Sequence, residues 1–245
     1  MKYKVTALKM GELTVDKGSL TSGIDVGMEI KIPIWAAAIE GDGKKIVVDT
    51  GIHDSDWVSK NVSKCKQLGD ETIEGALTHI GWKIADVDYV INTHLHYDHC
   101  GGNNVFKNST FLIQRAEWEN AFNPIPNQKI FYLPELFAKK AVDYTKINFL
   151  DGETTIFEGI KVIPTPGHCK AHQSVLVSTE EGVLCISADA ANLVENIRDN
   201  VCPSIMYNGQ MVYDSLENIR RVADRILPGH EPGIEKYQTN KFPKI

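Results

Sequence analysis

Paired thiols are missing from this chain. Its five cysteines (Cys65, Cys100, Cys169, Cys185 and Cys202) are odd in number, and none belongs to a Cys-x-x-Cys pair. That argues against both a disulfide framework and a thiolate zinc site. Long apolar runs are missing too. The opening MKYKVTALKM holds no stretch able to form a signal-peptide core, and no later segment is long enough to span a bilayer. The expected setting is a reducing cytoplasm, away from membranes. Basic residues are in deficit: 26 Lys and Arg against 32 Asp and Glu leave a formal charge of -6, which gives nucleic acid no electrostatic reason to bind. Low-complexity segments, charge blocks and short-period repeats are absent, and no Ser/Gly/Pro-rich linker divides the chain. With 42% hydrophobic residues to build a core, the 245 residues are expected to form one domain, 1–245.

What is present is a strand-rich first half. KVTALKMGELTV alternates, IPIWAAAIE is a continuous apolar run, and Gly-Asp-Gly at 41–43 turns the chain into KKIVVDTG. Ile73, Ala76, Leu77 and Ile80 then fall at helical spacing, with Gly81 as a stop. DVDYVIN predicts a buried strand, FLIQ another, and RAEWENAF a helix broken by Pro124 and Pro126. Pro134 is placed to open a helix running through Ala141. The second half repeats the layout. TTIFEGIKVIPTP predicts one or two strands, QSVLVSTEEGVLCISADA a hairpin with a Glu-Gly turn, and Val212, Leu216, Ile219, Val222 and Ile226 an amphipathic helix that runs into LPGHEP. Strands then a helix, twice over, predict an α/β protein built as a four-layer αββα sandwich.

The stretch INTHLHYDHCGGN, residues 91–103, places three histidines and an aspartate within six positions. Two apart on an extended backbone, His94 and His96 point to the same side. Asp98 and His99 follow where the chain turns toward a helix, so they swing in another direction. One loop thus offers two pairs of ligands, as needed for two metals roughly 3.5–4 Å apart. His168 in TPGHC, Asp189 in SADA and His230 in LPGHE also sit at the ends of expected elements. Imidazole and carboxylate together suit zinc, and also iron, manganese or cobalt. The expectation is a metal cage. His53 and His79 read as surface or satisfied residues, His172 as structural, and Cys100 and Cys169 as small packing residues.

The ordered set THLHYDHCGG, TPGHCKAHQSVL, SADAAN and LPGHE, with VVDTG upstream, strongly resembles the metallo-β-lactamase superfamily. Within it, QRAEWENA and the compact length look most like the N-acyl-homoserine lactonases and their relatives, including pyridoxolactonases. The resemblance covers residues 30 to 235 or so. It implies a cytoplasmic quorum-quenching hydrolase with two divalent metal ions, zinc first among them, and a small-molecule lactone as partner. The family often forms homodimers. His94, His96 and His168 are implied for the first metal, Asp98, His99 and His230 for the second, and Asp189 as the bridge, with Asp49 supporting the histidine loop from behind. One position departs from the pattern. Where this branch commonly has a tyrosine three residues after the bridging aspartate, DAAN puts Asn192, an amide that donates a hydrogen bond but cannot act as an acid. Tyr97 and Tyr207 are the alternatives for that role.

The chemistry implied is ring opening by a metal-bridging hydroxide formed from water of lowered pKa. Asp98 is the expected proton shuttle and Asn192 an oxyanion donor. Three alternatives stay open: a pyridoxolactonase-type enzyme, a glyoxalase II-like thioesterase, and a non-catalytic metal-binding protein. Class B β-lactamases do not use a bridging aspartate such as Asp189, and RNA-processing members are basic where this chain is acidic.

Overall fold

The computed structural model describes residues 1–139, 141–237 and 239–245. The chain opens with β1 (Lys4–Asp16), β2 (Glu29–Gly41) and β3 (Lys44–Val48), then α1 (Ser55–Asn61), β4 (Cys65–Lys66) and α2 (Ile73–His79). Next come β5 (Tyr89–Ile91), α3 (Tyr97–Cys100), β6 (Thr110–Gln114), α4 (Arg115–Phe122), α5 (Pro134–Phe137) and β7 (Ile147–Leu150). The second half contributes β8 (Thr154–Phe157), β9 (Ile160–Pro164), β10 (Gln173–Thr179), β11 (Gly182–Ala188), α6 (Val194–Arg198), α7 (Gly209–Val222) and β12 (Arg225–Pro228). Among the described residues the strands form two sheets, in the orders β4-β1-β2-β3-β5-β6-β7 and β12-β11-β10-β9-β8.

Three apolar interiors separate four layers. Between the sheets lie Trp35, Ala37, Ile39, Ile46, Val48 and Ile91 from the first and Val162, Val175, Val177 and Leu184 from the second. Outside the first sheet, Ile32, Ile34, Ala36 and Ala38 meet Leu77 and Phe137 of the helices. Outside the second, Ile163, Cys185 and Ile226 meet Val212, Leu216 and Ile219 of α7. This explains the unbroken apolar run of β2: alternate residues serve two different interiors, so neither face is left for water. The αββα expectation holds.

Local signals were obeyed where backbone chemistry was decisive. The turn between β2 and β3 has φ of 50° at Asp42 and 66° at Gly43, closed by the Gly41–Lys44 pair, as a two-residue hairpin demands. α2 ends at His79, with Gly81 at φ 79°. RAEWENAF is α4.

Other expectations need correcting. The helix opened by Pro134 ends at Phe137, because Ala138 is extended; Lys140 lies outside the described residues. Ile226 does not continue α7. Ala223 breaks the helix, and Ile226 enters β12, which pairs in parallel with β11. TTIFEGIKVIPTP is two strands, and in the hairpin that follows the turn residues are Glu180 and Glu181, with Gly182 opening β11 at φ 106°. The short strands β4, β7 and β12 carried no periodicity long enough to be read.

β3, β5, β6 and β7 run parallel, as do β11 and β12. Their C-terminal ends therefore gather at one edge, where open α/β sheets place their ligands. Among the described residues no helix is long and apolar enough to cross a membrane. Leu216→Ala, which empties a fully buried position under α7, is expected to cost about 2–5 kcal/mol in a urea unfolding titration. A loss below about 1 kcal/mol would mean that α7 is not held by this interior.

Candidate metal centre

The strand β5 ends at Ile91, and its extended continuation carries His94 and His96 on one side, their rings 4.5 Å apart. The first turn of α3 then redirects Asp98 and His99. Ligand-capable atoms of His94, His96 and His168 lie within 4.8 Å of one another; so do those of Asp98, His99 and His230, and those of His94, His99 and Asp189. All seven residues expected from the sequence therefore converge, and all are buried. Asp189 occupies the middle. Its Oδ1 is 3.2 Å from His99 Nε2 and 3.3 Å from His230 Nε2, and its Oδ2 is 3.4 Å from His168 Nε2.

The outward ring nitrogens fix the tautomers. His99 Nδ1 donates to Asp49 Oδ2 at 2.8 Å, His168 Nδ1 to the Ile205 carbonyl at 3.0 Å, and His230 Nδ1 to the Pro33 carbonyl at 2.9 Å. The Thr93 hydroxyl donates to Asp49 Oδ2 (2.7 Å), so it accepts from His94 Nδ1 (3.1 Å). Asp49 also accepts from the Thr93 backbone N–H (2.8 Å) and so braces His94 and His99 together. With Nδ1 protonated, the Nε2 lone pairs of these four rings face inward. Asp49 holds this post at φ 61°, and Ala188, next to Asp189, at φ 42°. Left-handed backbone at two non-glycine residues is strain that the surrounding bonds must hold in place.

Burial, together with neighbouring imidazoles, holds His94 and His96 well below the ordinary imidazole range, and burial lowers His168. These rings are neutral and able to ligate. Burial also opposes charge on His99 and His230, but Asp189 and Asp98 outweigh it and raise both. Burial likewise disfavours the Asp189 carboxylate, yet His230, His99 and His168 hold its pKa well below the usual value.

His94 Nε2, His99 Nε2 and Asp189 Oδ1 are buried without a hydrogen-bond partner among the described residues. Three such atoms converging from different elements are costly unless a cation satisfies them, and imidazole with carboxylate is a zinc-type donor set. The residues present fit a pair of divalent ions.

A cavity of about 80 Å³ opens over this cluster. Its floor is His96, Asp98, His168, Asp189 and His230, and its wall includes Leu13, Val15, Ile32, Val62 and Ile205. Asn192 lines it, almost fully buried, with its Oδ1 unpartnered among the described residues. Tyr97 lines it too, whereas Tyr207 does not: its backbone N–H donates to the His168 carbonyl at 2.9 Å.

His172 packs behind His94, 5.0 Å between ring centres, and bonds Thr165 Oγ1 at 2.8 Å. His53 and His79 lie away from the cluster, lining other surface grooves. Cys100 and Cys169 donate to the Leu95 carbonyl and to Glu117 Oε2, and burial pushes both thiols well up, so they serve packing. Sequence reasoning did not single out Glu117, Tyr132 or Thr93. A buried glutamate in an ordinary-looking helix leaves no periodic trace; the one signal was its place in QRAEWENA, just after a strand that ends at the cluster.

Gly229 approaches so closely that a Cβ there would lie 2.3 Å from Asp189 Oδ1. Gly229→Ala is expected to displace that carboxylate and lower the metal bound per chain, counted by elemental mass spectrometry, with the circular dichroism spectrum retained. Full metal loading in this variant would show that the carboxylate's placement is not needed.

Residues 31–230 match the family model of the metallo-beta-lactamase superfamily. The chain is 30% identical to an N-acyl homoserine lactonase of Bacillus cereus over 95% of each chain. Among solved structures it resembles an N-acyl homoserine lactone hydrolase with the product N-hexanoyl-L-homoserine at its catalytic metal centre, with TM-score 0.82, 26% identity and 96% of each chain covered. It also resembles a Bacillus thuringiensis lactonase mutant with N-decanoyl-L-homoserine in its active site, with TM-score 0.83, 26% identity and again 96% of each chain. The matched segment contains all seven converging donors, and with those similarities it establishes that this chain belongs to the metallo-beta-lactamase superfamily, in its N-acyl homoserine lactonase-like branch.

Proposed function

We propose that this chain is a dinuclear-metal lactonase that opens N-acyl homoserine lactones or closely related lactones by adding water across the ring ester bond. The observation that carries this reading is the convergence of seven buried histidine and aspartate side chains, five of them on the floor of an apolar-walled cavity, in a chain that aligns along 95% of its length with a lactonase. In this reading His94, His96 and His168 would hold one ion and Asp98, His99 and His230 the other, with Asp189 between the two sets. The ions are zinc. Bound there, they supply Lewis acidity and bring the pKa of water toward 7. The interior shared by both sheets supports treating residues 1–245 as one domain, and the five free cysteines suit a reducing cytoplasm.

The chain's own groups do the rest. About 80 Å³ is far below the roughly 300–1,000 Å³ of a pocket that swallows a drug-sized ligand. Only the reacting ring enters, and an acyl chain leaves along the apolar wall. Asn192 makes no side-chain hydrogen bond among the described residues, so its amide N–H is free to donate to the carbonyl oxygen as charge develops there. Asp98 has an Oδ2 3.8 Å from both His99 Nε2 and His230 Nε2 at the cavity floor. It takes the proton of the attacking water and delivers it to the departing ring oxygen, which leaves as the free hydroxyl of the opened product.

Proton release at neutral pH tests the proposal, with acyl-homoserine lactones of several lengths, an aromatic lactone and simple γ- and δ-lactones as substrates. Turnover of one group is expected. Two bound metals with no lactone turned over, but hydrolysis of a thioester, would move the assignment to a glyoxalase II-like reaction. Asp98→Asn is expected to lose about 10²–10⁴ in rate while keeping most of its metal; an active variant would remove Asp98 from the proton path. Asn192→Ala is expected to lose roughly 10²–10³ in kcat with little change in KM. A change confined to KM would make Asn192 a ground-state contact only.

A further inference from the structure

Four of the five clustered histidines have an outward nitrogen held by a hydrogen bond, and His96 does not. Its Nδ1 faces inward, 3.0 Å from His168 Nε2, and its Nε2 is buried with no partner among the described residues. A ligating imidazole ordinarily has its ring plane set by a bond to the far nitrogen. Something else must set this one.

Packing does so, and it leads back to a single carboxylate. The Tyr132 ring stands edge-on to His96, 4.6 Å between centres at 76°, with Phe131 at 5.2 Å. The Tyr132 hydroxyl donates to Glu117 Oε1 at 2.8 Å and accepts from Asn120 Nδ2 at 3.2 Å. The same Oε1 accepts from the backbone N–H of Leu95, the residue between the two histidines, at 3.2 Å. The other oxygen, Oε2, accepts from Cys169 Sγ, next to His168, at 3.3 Å, and Glu117 also accepts from the Ala171 N–H. Glu117 is 1% exposed and Tyr132 4% exposed.

We infer that Glu117, through Tyr132 and the Leu95 N–H, is the positioning residue that orients His96 and sets its spacing from His168. The inference rests on the proposed reading of His96 as a metal ligand. A buried carboxylate with donors from three separate segments is a rigid hub, because each bond restricts the others. Packing of α4 alone does not account for it, because the donors it satisfies belong to Leu95, Tyr132 and Cys169, all outside that helix. A glutamine would keep only one acceptor oxygen and set an NH₂ against a donor.

The experiment measures zinc retention by chelator competition, and the visible absorption of the cobalt-substituted protein, for wild type, Glu117→Gln, Tyr132→Phe, Tyr132→Leu and His96→Ala. Phe137→Leu, in the same interior but away from His96, controls for general destabilisation. Glu117→Gln and Tyr132→Leu are expected to weaken retention of one of two ions about 10–100-fold and to shift the cobalt bands. Tyr132→Phe keeps the ring and is expected to show a smaller shift in the same direction. Phe137→Leu is expected to lower the melting temperature and leave both metal readouts unchanged. Wild-type retention and cobalt spectra in both Tyr132 variants would overturn the assignment even if Glu117→Gln fails to fold. If His96→Ala still holds two ions at wild-type affinity, the ligand reading itself falls and takes this role with it; if that variant loses an ion and the Tyr132 variants do not, only the role of Glu117 falls.

Discussion

Asp189 is a carboxylate buried among three imidazoles, with His99, His168 and His230 each presenting a ring nitrogen within 3.4 Å of its oxygens. Such a cluster tolerates no imprecision. Every lone pair that points inward has been taken from water, and a polar atom left unmatched in the interior costs several kcal/mol. Much of the surrounding structure can be understood as holding these donors at ligating distance, since left alone they would turn away toward bonds of their own.

That restraint is built in two shells of ordinary protein groups. Asp49 braces His99 directly and His94 through Thr93, while two backbone carbonyls, of Ile205 and Pro33, hold His168 and His230. The Pro33 carbonyl lies 197 residues from His230 in the chain, so the centre ties the two halves of the fold together. Strain collects where it is most useful. Asp49 and Ala188 adopt left-handed backbone at the ends of β3 and β11, bending the chain sharply so that a strand terminates inside the cluster. Gly229 permits the closest approach, passing under Asp189 where a methyl group would not fit.

The sandwich makes this edge available. Parallel strands end together, and the two sheets share one interior, so loops from both halves open on the same rim. The apolar wall above the metal cluster is a continuation of the strands that build the core. Asn192 and Tyr97, both buried, line the same cavity beside that apolar surface.

How much of this was legible differs by the range of the interaction. The alternation of β1, the apolar run of β2, the Asp42–Gly43 turn, the stop at Gly81 and the span of α4 are local, written in neighbouring side chains and backbone preference, and the sequence by itself determined them. So too with four of the seven site residues: a histidine pair two apart, then Asp-His at a strand-to-helix turn, is a short-range pattern. Their family resemblance supplied the grouping. The sequence did not specify the short strands β4, β7 and β12, which exist because a neighbouring strand offers unpaired backbone rather than because of their own composition. Nor did it specify Glu117, a helix glutamate with the same local surroundings as any exposed one. Only folding brings Leu95, Tyr132 and Cys169 around its carboxylate, because burial and hydrogen-bond partnership are properties of the assembled interior and not of the segment that carries the residue.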